Sequence, residues 1–452
     1  MNAAGKPFSF WTDNIAERSA VGIASSLSRL MSSGQLPIGT RLPTVRALAA
    51  ALNVSPTTVS QAWQSLSRRG VIESRGRSGT KVAERKRGGT RWRSSEFGPP
   101  RTDHLNLSSG VPDGDLLPDL SLALASMKQS LPVSNYQEPP VLPALEQLLR
   151  RRWPYEVEDL SLTDGALDAL DRSLTELIRF GDRVLVEDPT YPPILDLIEA
   201  CGGTAVGMPM DQFGILTSYV ADAIQKFSPV ALIVQPRAQN PTGITMSRSR
   251  MDELVKVLRT TRMVILEDDH IGDVSAFPPL SFGTSLPEQT IRISSFSKSH
   301  GPDLRLAAMG GPRDVIEQVL NRRQLGPGWS SRLLQTVLAE LLTSPTSIAD
   351  VRRARRIYAS RRKTMVRYLE ERGTEVTGTD GLNLWVTVRD EFSALLFLAA
   401  AGISAAPGQP FCLGAEDRPH IRVTCAAIRG RYKEVADAIA AASVSPARLN
   451  LR

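Results

Sequence analysis

The stretch IRISSFSKSHGPDLRLAAMG, Ile291 to Gly310, decides how this chain is read. A short apolar strand runs into a Ser-rich turn carrying Lys298, with Arg305 seven residues further on. A lysine amine that condenses with an aldehyde needs a partly dry pocket, and Ser295, Ser297 and Arg305 are the residue types that hold a phosphate beside it. By itself the segment also reads as a surface lysine in a Ser-rich loop, because short motifs are weak. The residues Lys298 is accompanied by elsewhere in the chain separate the two readings.

Strand-like runs of the same kind lie upstream: RVLVEDP from Arg183, VALIVQP from Val230 and MVILEDD from Met263. Their alternation with helical stretches over Leu105 to Arg452 predicts a largely parallel α/β sheet with active groups at the strand ends. Chemically loaded residues stand at those ends. Gly165 and Ala166 open a helix whose free amides suit a phosphate. Tyr191 follows the first run and offers a ring to stack on a flat cofactor. Asn240, in Gln239-Asn240-Pro241-Thr242-Gly243, follows the second, and Asp268 and Asp269 close the third. In this order, and with Lys298, they match what pyridoxal 5′-phosphate requires: a Schiff-base lysine, a carboxylate to keep the pyridine nitrogen protonated, a stacking ring and anion donors. Asp268 and Asp269 are neighbours, and the sequence does not choose between them as the pyridine partner.

Length and composition set the frame. A chain of 452 residues suggests two or three domains, and 42% hydrophobic with 22% charged residues is ordinary for a soluble globular protein. Cys201, Cys412 and Cys425 form no CxxC pair, so no zinc site or disulfide framework is expected, and a reducing cytoplasm fits. The start MNAAGKPFSFWTDN has no apolar core after a basic residue, and the richest apolar run, Ala394 to Ala406, is too short to span a bilayer, so neither export signal nor membrane segment is expected. Residues 1–103 hold 16 Lys/Arg against 6 Asp/Glu, whereas the whole chain is net +7, leaving −3 for the remainder. The first quarter therefore carries the basic excess that a phosphate backbone attracts, a basic tail that aids solubility being the rival reading.

That quarter reads as helical. Ile15, Ile23, Leu27, Leu30 and Met31 predict a helix over Ile15 to Ser33, stopped by Gly34. Thr44 can cap a second helix facing Val45, Leu48, Ala49 and Leu52 inward, with Asn53 in the left-handed conformation at its end. Ser55 caps a third, with Pro56 at its first position, Val59, Trp63 and Leu66 on its apolar face, and Gly70 after it. Val71 to Val82 reads as two strands around a turn with Arg75, Arg77 and Gly79 at its tip. The order is a helix-turn-helix with a basic wing. The polar, Gly/Pro-broken stretch ERKRGGTRWRSSEFGPPRTD, Glu84 to Asp103, reads as a flexible linker.

Across Arg41 to Thr80 the sequence RLPTVRALAAALNVSPTTVSQAWQSLSRRGVIESRGRSGT resembles the winged-helix domain of the GntR family of transcription regulators. The resemblance implies that Arg41 and Arg46 reach DNA phosphate or base edges, that Ser55, Thr57 and Thr58 sit at the major-groove end of the recognition helix, and that Arg75, Arg77 and Gly79 approach the minor groove. Pro56 stands where family members often have Arg or Lys. Residues 105–452 resemble class I aminotransferases of fold type I, with a smaller C-terminal α+β subdomain, and the whole chain is similar to the MocR-type regulators. The domains implied are a winged helix over 1–83, a linker over 84–104 and a cofactor-binding effector domain over 105–452.

By this resemblance Lys298 forms the internal aldimine, Asp268 pairs with the pyridine nitrogen, Asn240 and His270 flank the ring hydroxyl oxygen, and Tyr191 stacks. Gly165, Ala166, Ser295 and Arg305 hold the phosphate, with Tyr136 reaching the phosphate of a partner subunit in a homodimer. Arg422 grips an effector carboxylate, the task of a bidentate guanidinium. Three departures from the family pattern stand out: His270 where a tyrosine is common, Asp164 and Leu167 in the phosphate loop, and Glu146 where an arginine is usual. They weaken the case for a fully competent aminotransferase more than that for a cofactor-binding sensor, and the complete winged helix with its concentrated basic charge favours a cytoplasmic regulator that senses an amine or amino acid through an external aldimine over an aminotransferase with an accessory DNA-binding domain, although fold analogy supports both.

Overall fold

The computed structural model describes residues 7–15, 17–32, 35–37, 39–68, 72–74, 79–83, 104–126, 138–414 and 418–445. Two compact units emerge, one centred on residues 1–91 and one holding most of the remainder. The wing-tip residues Arg75 and Arg77, the expected stops Gly34 and Gly70, the linker segment 84–103 and Tyr136 lie outside the described residues.

The first unit contains α1 (Phe8–Asn14), α2 (Ala20–Ser32), α3 (Val45–Leu52), α4 (Pro56–Arg68), β1 (Ile72–Ser74) and β2 (Thr80–Val82). Local chemistry sets its boundaries. Thr44 Oγ1 accepts from Ala47 N at 3.2 Å, and Asn53 ends α3 at φ 54°, as the sequence led us to expect. Ser55 Oγ accepts from Thr58 N at 3.1 Å to cap α4. The helix expected from Ile15 begins instead at Ala20, because Ser19 Oγ accepts from Gly22 N at 3.0 Å and starts a new helix there. Ile15 terminates α1 and still reaches the core. Helical spacing of apolar residues thus found the buried side but missed the break. Trp11, which the sequence reading left outside any element, is fully buried with Leu27, Leu48, Val59, Trp63 and Leu66. The wing strands pair with Ile72 opposite Val82, and Leu42 N donates to Thr80 O at 2.8 Å, which ties the entry to α3 onto the wing.

In the second unit the strands are β3 (Leu105–Asn106), β4 (Asp159–Thr163), β5 (Arg183–Asp188), β6 (Thr204–Asp211), β7 (Gly214–Ile215), β8 (Ala231–Val234), β9 (Val264–Asp269), β10 (Thr290–Ser295), β11 (Ala307–Gly311), β12 (Val376–Thr377), β13 (Leu384–Thr387), β14 (Ile403–Ser404), β15 (Ala406–Pro407) and β16 (His420–Val423). Eight form one sheet in the order β4-β11-β10-β9-β8-β5-β6-β7. From β10 to β6 neighbours run parallel. Strands such as β8, buried along its whole length, can be apolar throughout because helices cover both faces. β11 runs antiparallel to both β10 and β4. The chain returns from β10 directly, through the turn that carries Lys298, and a short return of this kind joins antiparallel strands where a parallel pair would need a long crossover.

A 26-residue helix, Pro345–Glu370, leads to the smaller sheet, β12-β13-β16-β15, which is antiparallel throughout. Helices Glu391–Ala400 and Tyr432–Ser443 close its core with Leu398, Val435 and Ile439. The large sheet aligns the C-terminal ends of β5, β8, β9 and β10, and the chemically loaded residues follow from those ends.

Candidate functional site

Lys298 lies three residues past the end of β10 and donates from Nζ to Gly110 O at 2.7 Å. Burial, with the charge of Arg422 acting in the same sense and Asp268 opposing, pulls its ammonium down from an ordinary 10.5 to about 8. The surrounding cavity, of about 200 Å³, gathers Ala166, Tyr191, Asn240, Asp268, His270, Ser295, Lys298, Arg305 and Arg422. Residues spread over more than 250 positions of sequence therefore face one space. Gly165 adjoins it, since a Cβ there would stand 3.4 Å from Arg305 Nη2.

Asp268 and Asp269 are separated by the pleat of β9, which sends successive side chains to opposite faces. Asp269 is buried among arginines: Arg237 Nη2 stands 2.7 Å and Arg292 Nη2 2.6 Å from Asp269 Oδ2. Burial alone would raise its pKa, but Arg292 and Arg237 overcome this and hold the carboxyl below the usual range. Asp268 faces the Lys298 cavity. Its Oδ2 accepts from Gln235 Nε2 at 2.7 Å, while its buried Oδ1 has no hydrogen-bond partner among the described residues. Burial pushes this carboxyl up, against the charge of His270 and the bond from Gln235.

Gln235, which sequence reading passed over, ties the site together. Its Nε2 holds Asp268, its Oε1 accepts from Asn240 N at 2.8 Å, and its own N donates to Glu187 Oε2 at 3.1 Å. Glu187 is itself buried, and burial raises its carboxyl to about 8. The available signal was a polar side chain ending the apolar run VALIVQP, at the same strand end as the other site residues. Ser108 and Gly110, whose carbonyls receive Arg422 and Lys298, left no such signal because backbone acceptors are common to every residue.

At the opposite end of the cavity, Gly165 at φ +105° leads into the helix Ala166–Leu177. Its first amides, with Ser295 and the exposed Arg305, can receive an anion. Asp164 does not oppose this. Its Oδ2 meets Arg323 Nη2 at 2.9 Å and its Oδ1 accepts from Ser330 Oγ at 2.6 Å, so the carboxylate is committed elsewhere. Leu167 lines the cavity. Glu146 is paired with Arg150 one helical turn away, at 2.8 Å.

Asn240 Oδ1 accepts from Arg422 Nη1 at 3.2 Å, which leaves the amide NH₂ as the group able to donate into the cavity. Arg422 also donates to Ser108 O and lies 5.0 Å over the Phe411 ring. Burial lowers it to about 10. Tyr191 is half-buried at the start of the helix Pro192–Ala200, and burial raises its hydroxyl. His270 Nε2 lies 2.9 Å from Ala238 O. A carbonyl only accepts, so Nε2 carries the proton, and burial keeps the ring neutral by lowering its pKa. Nδ1 is then an acceptor, so toward a ring oxygen beside it this histidine offers no donor.

In the winged helix, Arg46 and Thr57 are exposed on α3 and on the first turn of α4, and Gly79 has φ +79°. Arg41 Nε stands 3.5 Å from the position of a Cβ on Gly79, so the arginine lies against the wing. Ser55 and Thr58 are occupied by one another, their hydroxyls 2.8 Å apart, and serve the helix cap.

Residues 102–439 match the family described as aminotransferase class I and II, and residues 20–82 match bacterial regulatory proteins of the gntR family. The chain is 31% identical over 404 residues to the vitamin B6 salvage pathway transcriptional repressor PtsJ of Salmonella typhimurium, across 88% of this chain and 92% of that one. It is 28% identical over 436 residues to the HTH-type transcriptional regulator YdcR of Escherichia coli, across 87% and 92%. Among solved structures, kynurenine aminotransferase of Pyrococcus horikoshii superposes with a TM-score of 0.70 at 21% identity, over 75% of this chain and 91% of that one. The α-aminoadipate aminotransferase LysN of Thermus thermophilus, bound to N-(5′-phosphopyridoxyl)-L-leucine, gives 0.69 at 20% identity over 75% and 93%. These structural likenesses establish the aminotransferase fold.

Proposed function

This chain belongs to the MocR-type regulators of the GntR family, a winged helix joined to an aminotransferase class I and II domain, and from that premise we propose that it controls transcription by sensing an amine or amino acid. It is a DNA-binding regulator, and its cofactor is pyridoxal 5′-phosphate. The observation that carries the sensing reading is Asp268 Oδ1, a buried carboxylate oxygen in the cavity that holds Lys298, without a partner among the described residues. A buried acceptor left unpaired is costly, and a protonated pyridine nitrogen supplies the donor it lacks.

Bound there, the cofactor supplies an aldehyde that condenses reversibly with a primary amine, so Lys298 and an effector amine compete for one carbon. Lys298, its pKa lowered to about 8 by burial, gives up its proton more readily than an ordinary lysine and so would be the amine able to attack that carbon. Asp268 holds the ring nitrogen, Asn240 donates to the ring oxygen, and Gly165, Ala166, Ser295 and Arg305 hold the phosphate. Arg422 faces the same space and takes an effector carboxylate. In this reading the DNA-binding unit spans 1–83, the effector unit 105–452, and a linker over 84–104 joins them. The regulator works as a cytoplasmic homodimer, with Tyr136 completing the partner's site and two winged helices reading two half-sites.

DNA-binding isotherms, with and without candidate amines, test this on the cofactor-loaded parent and on Lys298→Ala. The variant should bind DNA like the parent and ignore the amine, because an effector acts only through a difference in free energy between two conformations. A Lys298→Ala protein that responds as the parent does sinks the reading. The PtsJ relative, whose name places it in vitamin B6 salvage, favours a second reading in which cofactor occupancy is itself the signal. That reading predicts a change in DNA affinity on loading the cofactor alone. Steady-state turnover of an amino acid with a keto acid would instead favour an aminotransferase.

A further inference from the structure

The helix Pro345–Glu370 carries eight Lys/Arg against two Asp/Glu, in a region (104–452) whose net charge is −3. Four of the eight have hydrogen-bond partners: Arg353 pairs with Asp350 at 3.2 Å, and Arg355 donates from Nε and Nη2 to Asp273 O at 2.8 and 2.6 Å. Arg361 pairs with Asp113 at 2.7 Å, and the buried Arg362 donates to the carbonyls of Asn383 and Thr377. The others are exposed. Arg352, Arg356, Lys363 and Arg367 recur at intervals of four, seven and four residues, which at 3.6 residues per turn puts them on one line. That line lies opposite the buried face of Val351, Ala354, Tyr358, Met365 and Leu369. It extends over roughly 22 Å at about 1.5 Å per residue. Between its two halves the exposed positions are the small Ala359 and Ser360, which let a backbone approach.

Arg352, Arg356 and Lys363 make no ion pair among the described residues; Arg367 reaches Glu371 only at 3.8 Å. Near one end Arg352 lines a cavity of about 260 Å³ with Arg152 and Arg355, where Asp273 is the single carboxylate. Like charges three or four residues apart, such as Arg352 with Arg355 and Arg356, destabilise a helix, so this face is built at a cost that an extended anion would offset.

We propose that the stripe Arg352–Arg356–Lys363–Arg367 is a second, sequence-independent contact for the phosphate backbone of DNA. The proposal rests on the DNA-binding reading of the winged helix, which brings the polyanion to this chain, and a row of cations matched to a regular row of phosphates is what that partner requires.

The test uses the full, cofactor-loaded chain and a long random-sequence duplex. Affinity is measured against salt for the parent, for the triple variant Arg352→Gln/Arg356→Gln/Lys363→Gln, for Arg46→Gln, and for a control that removes the same charge from Arg248, Lys256 and Lys433, all exposed. The slope of log affinity against log salt should fall by roughly 0.9 for each phosphate no longer neutralised, hence by roughly two to three units in the triple variant, and should stay near the parent's in the control. Arg46→Gln reports the winged helix separately. A triple variant with the parent's slope overturns the proposal and leaves the winged-helix reading intact if Arg46→Gln still weakens binding. A parent that fails to bind the duplex overturns both. An unchanged slope on DNA, together with abolished binding to anionic phospholipid vesicles, would assign the stripe to a membrane surface instead.

Discussion

The two faces of β9 carry the same chemistry to opposite ends. On one face Asp269 is held by Arg237 and Arg292, and Arg292 is shared further with Glu267 at 3.2 Å. On the other face Asp268 keeps one oxygen without a partner among the described residues and lines the same cavity as Lys298. A buried charge that is fully paired holds a fold together, whereas one left half-paired marks a place where something else binds. Adjacent carboxylates thus divide the work, and the pleat of the strand divides them.

The largest effect expected of any change on the cavity face is total. Borohydride reduction should fix the cofactor covalently to the parent, and Lys298→Ala should abolish that attachment, read by mass spectrometry of the reduced protein. Labelling of another lysine would break the assignment of this face as the reactive one. Next in size is the paired face. Asp269→Asn takes the carboxylate partner from the buried Arg237 and leaves Arg292 with Glu267 alone, and should cost about 3–5 kcal/mol of stability in denaturant unfolding. Asp268→Asn should leave the cofactor-free protein close to parental stability, because burial already disfavours its charge, and should weaken cofactor binding instead. Equal losses of stability from the two substitutions would erase the contrast between the faces.

Gln235→Leu sharpens the contrast further, by leaving Asp268 Oδ2 and the amide of Asn240 without their partners while the Asp269 face stays untouched. Cofactor affinity should fall by about 1–3 kcal/mol, read by fluorescence titration, with Gln235→Glu failing to restore it because a second carboxylate would stand beside Asp268. An affinity equal to the parent's would show that Asp268 needs no positioning. The smallest effect is one of pH. Because burial lowers Lys298 from 10.5 to about 8, the unfolded chain holds a proton between those values that the folded, cofactor-free chain has released. Stability should therefore rise with pH across about 8 to 10.5, and Lys298→Met should flatten that rise in thermal denaturation. A parent and a variant with the same slope would show that Lys298 is as solvated as a surface lysine.

Much of this was legible in order along the chain. Thr44, Asn53 and Ser55 mark the ends of α3 and α4 through contacts within four residues, which is why caps can be read from sequence. The break before Ala20 was equally local, yet the apolar spacing through Ile15 masked it. The runs ending at Tyr191, Asn240, Asp268 and Lys298 could be read because apolar strands buried on both faces stop abruptly where a cavity begins.

By itself the sequence determined which residue types stand at the strand ends and the two-part make-up of the chain, since strand length, cap chemistry and charge density are properties of short segments. Only the tertiary structure decided which of Asp268 and Asp269 meets the cavity, that Asp164 turns to Arg323, that His270 donates a hydrogen bond to the carbonyl of Ala238, and that Gln235 joins Asp268 to Asn240. Each of these depends on a partner brought close from another segment, and for Asp164 and Arg323 that partner is 159 positions away. A side chain's charge is written locally, but whether that charge is satisfied is settled by what the fold packs against it.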